Sequence, residues 1–140
     1  MDLVYYTNSQ VTIYYDAANS TGRAVWEGFL SGEDLREPVR QCLQLINTEK
    51  PSRWLADNRK LRAIRQHDQE WLEANLMPQL AASSIRKMAT LVSDDIFGQM
   101  AIDSLYSKAT AIINFDHHYF KDEIMARLWL IQPVENYGNF

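Results

Sequence analysis

Two periods of apolar residues run along the chain. Leu3 to Thr7 and Gln10 to Tyr15 are rich in β-branched and aromatic residues and flank the turn pair Asn8-Ser9, a pattern that predicts a hairpin. A second turn, Asn19-Ser20-Thr21-Gly22, leads into Arg23 to Phe29, a third strand with Ala24, Trp26 and Gly28 on one face and Val25, Glu27 and Phe29 on the other. The chain therefore opens as an antiparallel meander.

From Glu33 the period becomes helical. Leu35, Val39, Cys42, Leu43 and Ile46 fall at i, i+4, i+7, i+8 and i+11, one stripe of a helix that must end before Pro51. Ser31 is placed to cap it, its hydroxyl accepting from the Asp34 amide, with Glu33 and Asp34 at the positive end of the dipole. Arg53 to Asp57 reads as a short strand. Asp68 to Ala82 is a second helix whose core face is Trp71, Leu72, Leu76 and Leu80. Pro78 falls inside it; a mid-helix proline costs about 3 kcal/mol, so a kink or an early end is expected there.

Lys87 to Val92 is an apolar run, the mark of a strand covered on both faces, and Ser93-Asp94-Asp95 starts a helix to about Ala109. Ala111 to Phe115 repeats the strand pattern. Asp116 then caps a last helix with Phe120, Ile124, Leu128 and Ile131 as its buried stripe, ending at Pro133. The tail, Gln132 to Phe140, is expected to be loose or to dock through Tyr137 and Phe140. Three early strands followed by alternating helices and strands give an α/β fold: a mixed sheet with an N-terminal antiparallel meander, parallel later strands, and helices packed on it.

At 140 residues, the chain fits a single domain, 1–140. With 46% hydrophobic and 23% charged residues, it has the composition of an ordinary globular protein. A net charge of -4 argues against broad nucleic-acid binding, which needs a basic face. Cys42 is the only cysteine, which precludes an intramolecular disulfide and a zinc cluster, and is read as a small buried hydrophobe. Met1-Asp2-Leu3-Val4-Tyr5-Tyr6 lacks the basic start and apolar core of a signal peptide, and no apolar run approaches the ~20 residues of a bilayer span. A cytoplasmic location is expected.

Candidate chemistry concentrates after the fourth strand. Arg59, Lys60, Arg62 and Arg65 follow Asp57 and Asn58 just beyond the carboxyl end of a parallel strand, where open α/β sheets bind ligands. These six residues form a candidate ligand- or partner-binding loop, 57–65, able to hold a phosphate, a headgroup or an acidic partner. A solvated charged loop is the plainer alternative. Asp57, Asp94, Asp95 and Asp116 would all lie at carboxyl ends of strands and could converge on Mg²⁺, although helix capping explains the last three without a metal. His117 and His118, being adjacent, are poorly spaced for a shared metal and are read, like His67, as solvated residues of a first helical turn. Neither a Gly-x-Ser-x-Gly elbow nor a phosphate-binding Gly-x-x-x-x-Gly-Lys loop occurs.

The order of elements and the stretches Trp54-Leu55-Ala56-Asp57, Asp68-Gln69-Glu70-Trp71, Arg86-Lys87-Met88-Ala89 and Asp95-Ile96-Phe97-Gly98, with Phe115, Asp116, Ala126 and Trp129-Leu130 closing the pattern, resemble the SpoIIAA-like group of STAS domains, a bacterial group related to STAS and CRAL-TRIO proteins. The resemblance implies a non-enzymatic module that binds a partner protein or a small ligand. In the anti-sigma-factor antagonists a Ser or Thr followed by Gly is the phosphoswitch; here Asp57-Asn58-Arg59-Lys60-Leu61 offers neither, and no functional residue carries over. The CRAL-TRIO likeness also suggests that Trp26, Trp54, Trp71 and Trp129 line an acyl-chain pocket, with core packing as the default.

The expectation is a non-enzymatic STAS-like binding module, with no catalytic residues, metal or cofactor, that associates with a protein or binds a small anionic or apolar ligand near 57–65. The alternatives are a Mg²⁺-dependent enzyme acting on a phosphorylated substrate through the strand-end aspartates, and a homodimeric assembly protein using the exposed meander edge or an apolar helix face.

Overall fold

The hairpin forms where Asn8 closes it: its side-chain oxygen accepts from the amides of Gln10 and Val11, both at 2.8 Å. The structure is a computed structural model that describes residues 2–134. Its elements run β1 (Leu3–Thr7), β2 (Val11–Asp16), β3 (Thr21–Gly28), α1 (Glu33–Glu49), β4 (Arg53–Leu61), α2 (Gln66–Asn75), α3 (Met77–Ala81), β5 (Lys87–Leu91), α4 (Ile96–Lys108), β6 (Asp116–Phe120) and α5 (Glu123–Leu130). The six strands of the described residues pair in chain order, β1-β2-β3-β4-β5-β6, antiparallel through β3 and parallel from β3 onward. The fold is thus the expected α/β architecture with a mixed sheet.

Successive parallel crossovers between neighbouring strands share one hand, which puts their helices on one side of the sheet. The packing follows this rule. Leu35, Val39 and Ile46 of α1, Leu72 of α2, Leu80 of α3 and Leu105 of α4 share one core with Val11, Ile13, Ala24, Trp54 and Met88 of the sheet. This is the inner face. Leu55, Ala89 and Leu91 point the other way and are covered by Ala126 and Leu130 of α5, which docks over the later strands.

Ionic contacts hold α5 at both ends. At its carboxyl end Lys87 donates to the Trp129 carbonyl and Arg53 to the Leu130 carbonyl, both at 2.6 Å, placing cations on the negative end of the dipole. At its amino end the Asp122 side chain accepts from the Ile124 amide, and Glu123 reaches Arg59.

Several expectations are corrected. Ser31 does not cap α1 through its hydroxyl; Gly32, at φ 55°, occupies the cap position, and the Asp34 amide instead reaches the Ser31 carbonyl. β4 does not stop at Asp57 but continues to Leu61, because Asp57 and Arg59 find partners on the outer face and the ladder need not end. The early end expected near Pro78 is observed, in that α2 stops at Asn75, Leu76 separates it from α3, and Pro78 sits in the first turn of α3, where its missing N–H costs nothing. Ala111 to Phe115 is not a strand. Turns occupy this stretch and tuck Phe115 into the core, while Asp116 to Phe120 forms β6. Asp116 therefore caps no helix, and His117 and His118 lie on a strand. Ile124, Leu128 and Ile131 are 68%, 50% and 57% exposed rather than buried. The small Ala126 lets the opposite side of α5 approach the sheet, and the end contacts fix its rotation. Within the expected loose tail, the Gln132 carbonyl accepts from Arg53 at 3.4 Å; Tyr137 and Phe140 lie outside the described residues.

Candidate functional site

Strand alternation separates the six candidate residues. Asp57 and Arg59 project to the outer face. Asp57 accepts from the Arg59 amide and, in a two-pronged contact, from its Nε at 3.0 Å and Nη2 at 2.7 Å. The same Nη2 reaches Glu123 of α5 at 2.7 Å, and Arg127 donates to Glu123 from the next turn at 2.8 Å. Burial acts to raise the Asp57 carboxyl, but the hydrogen bonds and charge of Arg59 outweigh it and hold the group below its ordinary value. Glu123 is lowered chiefly by Arg127, against a smaller opposing effect of burial.

The other cations do not gather. Lys60 lies 3.8 Å from Glu27, and Arg65 lies 3.4 Å from Asp68, a buried carboxylate that also accepts from the Gly32 amide and faces Arg36 at 3.6 Å. Arg62, exposed, has no ion-pair partner among the described residues. Three of the four charges are thus already engaged by acidic neighbours, and loop 57–65 presents no convergent anion cradle.

Asn58 takes the opposite course. It points to the inner face and is 5% exposed. The β3–β4 register slips between Val25 and Glu27, so β4 carries one extra residue there, and this bulge returns Leu61 to the inner face as well. Asn58 and Leu61 line a partly enclosed cavity of about 100 Å³ between the sheet and α1–α4. Trp26, Trp54, Ala56 and Met88 form its sheet wall; Leu35, Val39, Cys42 and Ile46 come from α1, Leu72, Leu76, Met77 and Leu80 from the bent α2–α3 pair, and Ile102, Leu105 and Tyr106 from α4. Apart from Asn58 the wall is apolar or aromatic. Gly22 shapes it, since a Cβ there would overlap the Trp54 ring lying across it. Burial raises the Cys42 thiol, which leaves it a neutral wall group.

Of the four tryptophans, Trp26 and Trp54 line this cavity. Trp71 lies under the guanidiniums of Arg36 and Arg40, and Trp129 packs on the outer face against His118 and Phe120.

Tyr106 separates the cavity from a more open hollow of about 450 Å³ between α4 and the edge strand β6. His117 stacks on Tyr106 at 3.8 Å between ring centres, and its Nε2 lies 2.8 Å from the Thr90 hydroxyl. Burial lowers His117 to about 4, His118 adds to this, and Asp103 opposes it. Tyr119 is raised by burial, then by Asp103. Near neutral pH the imidazole is thus neutral and the phenol protonated, and the Asp103 carboxylate lines the same hollow.

The aspartates do not converge. Asp95 caps α4, accepting from the amides of Phe97 and Gly98, and Asp57 is bound to Arg59. Asp116 pairs with Lys87 in register at the amino end of the parallel strands, opposite the end occupied by Asp94 and Asp95. Among the described residues no group of three or more His, Cys, Asp or Glu could hold a metal ion. No described helix is long and apolar enough to cross a membrane. Comparison with protein-family models, curated proteins and solved structures finds no match for the chain.

The sequence points to Asn58 among the cations around it and, separately, to Trp26 and Trp54 as pocket-lining tryptophans, but does not join the two. The signal present in the chain was the polar Asn58 between the apolar inner-face positions Trp54, Ala56 and Leu61, visible only once β4 is extended past Asp57.

Proposed function

We propose that the protein is a non-enzymatic binding module that takes up a small apolar ligand in the cavity between the sheet and α1–α4. The observation that carries this reading is the cavity itself: a partly enclosed, mostly apolar space with one convergent polar group, the usual make-up of a small-molecule site. A closed apolar cavity of about 150 Å³ accepts benzene; this one, at about 100 Å³ but open on one side, suits a single small ring or a short branched chain rather than a long acyl chain. Segment 57–65 enters this reading through Asn58, Leu61 and Ile64 rather than through its cations. The resemblance to STAS-like binding modules supports a role without chemistry.

Native mass spectrometry of the gently purified protein tests the reading. An added small mass that survives mild activation and is lost at harsher settings is expected. A bare chain whose melting temperature also ignores small aromatic and aliphatic compounds would contradict it.

A further inference from the structure

Asn58 stands out among the buried polar side chains. Asp57, Asp68 and Thr90 each have side-chain partners, whereas neither end of the Asn58 amide has one among the described residues, although the residue is 5% exposed. A primary amide carries two donors and an acceptor; those of Asn58 are not sealed off, the one sealed side-chain nitrogen or oxygen without a partner among the described residues being Arg36 Nε, so the amide stays open to a group that enters the cavity. Its neighbours do not relieve it. Asp57 and Arg59 face the other side of the sheet, and the cavity wall around Asn58 is otherwise apolar except for the Tyr106 hydroxyl, which is turned to the Met88 sulfur at 2.7 Å.

We infer that Asn58 is the recognition group of the cavity, and that the ligand is a compact, neutral, mostly apolar molecule bearing one hydroxyl or carbonyl, which Asn58 hydrogen-bonds. This rests on the proposed function and specifies its ligand. A hydroxyl both donates to the amide oxygen and accepts from the amide nitrogen, and a carbonyl accepts from the nitrogen. A carboxylate is disfavoured. No cation lines the cavity, the Arg59 guanidinium is committed to Asp57 and Glu123 on the far face, and an unpaired charge in an apolar wall is expensive. A hydrocarbon of the same shape is disfavoured for the complementary reason, because it would cover the Asn58 amide without bonding to it.

Calorimetric titration of the full chain with phenol, toluene and benzoate at neutral pH tests this. Phenol and toluene share a shape and differ by a hydroxyl against a methyl. The expected result is binding of phenol about tenfold tighter than toluene, with benzoate weaker than either, and loss or reversal of the phenol preference in Asn58→Leu. Asn58→Val serves as a second variant should the first not fold, and the wild-type comparison needs no variant. Equal affinities for phenol and toluene, or a preference unchanged in the variants, would overturn the assignment of Asn58 while leaving the cavity as a ligand site. Benzoate binding as tightly as phenol would overturn the neutral ligand class. Binding of none of the three to the wild type would overturn both this inference and the proposed function beneath it.

Discussion

Asp57 and Asn58 are adjacent on β4, equally buried at 7% and 5% exposure, and opposite in circumstance. Asp57 faces α5 and is saturated by Arg59, which Glu123 in turn engages. Asn58 faces the cavity and has no side-chain partner among the described residues. The outer face has met its polar demands with its own side chains, as a structural contact does. The inner face, among the described residues, leaves one without a protein partner and open to a space. That asymmetry, rather than the density of charge in 57–65, distinguishes a site from a scaffold here.

The largest expected effect separates the two faces through their tryptophans. Trp54→Ala should destabilise by about 3–5 kcal/mol, lowering the melting temperature by roughly 10–20 °C. Trp129→Ala, partly exposed on the outer face, should lower it by about half as much or less. Thermal denaturation followed by circular dichroism measures both, and equal losses would break the distinction.

The next contrast is in pH. His117 has a folded pKa of about 4 against an ordinary 6.5, so the unfolded chain binds the extra proton first. Its neutral form contributes stability that is fully present above 6.5, declines as pH falls from 6.5 towards 4, and is lost below. Asp57 and Glu123 are lowered carboxylates whose contribution is present above their unfolded values of 3.8 and 4.5 and fades as pH falls through the lower folded values. Urea denaturation across pH 3–7 should show the first loss, about 1–3 kcal/mol, disappearing in His117→Gln. Persistence of that loss in the variant would assign it elsewhere.

The neighbours themselves should respond differently. Asp57→Asn should destabilise by about 1–2 kcal/mol, at the low end because Arg59 is 39% exposed and its charge is screened. Asn58→Leu should leave stability unchanged or raise it by up to about 1 kcal/mol, since it replaces an amide without a protein partner by an apolar side chain on an apolar wall. Chemical denaturation of the two variants compares them directly. At the small end, Arg62→Ala should change stability by less than about 0.5 kcal/mol, since its charge is exposed and unpaired among the described residues.

Much of the fold was legible in the chain. The meander, the α1 stripe, the apolar β5 run and the Asp95 start of α4 follow local patterns that tertiary packing leaves intact. The misses have a common physical cause. β4 and β6 carry polar residues that a strand accepts only when something specific receives them: α5 for Arg59, and Tyr106 and Thr90 for His117. Periodicity reports apolar burial and is blind to such partners, so Asp57 to Leu61 read as a loop and His117-His118 as a helical turn. Conversely, Ala111-Ile112-Ile113-Asn114-Phe115 has strand composition but spends its apolar residues on one buried Phe115 and a turn, leaving Ile112 48% exposed. The sequence groups Asp57 to Arg65 only by their proximity and charge. Which way each one points was not legible, because a bulge and the reach of α5 decide it.

The most direct test of the central contrast follows the Asn58 side-chain amide by NMR, assigned by its loss in Asn58→Leu, while phenol is titrated into the protein. The Asn58 NH₂ resonances should shift and their exchange with water should slow as the amide gains a partner, with the Arg59 side-chain signal unmoved. An Asn58 amide indifferent to saturating phenol, or one already protected from exchange in the unliganded protein, would contradict the claim that the inner face holds an open recognition group.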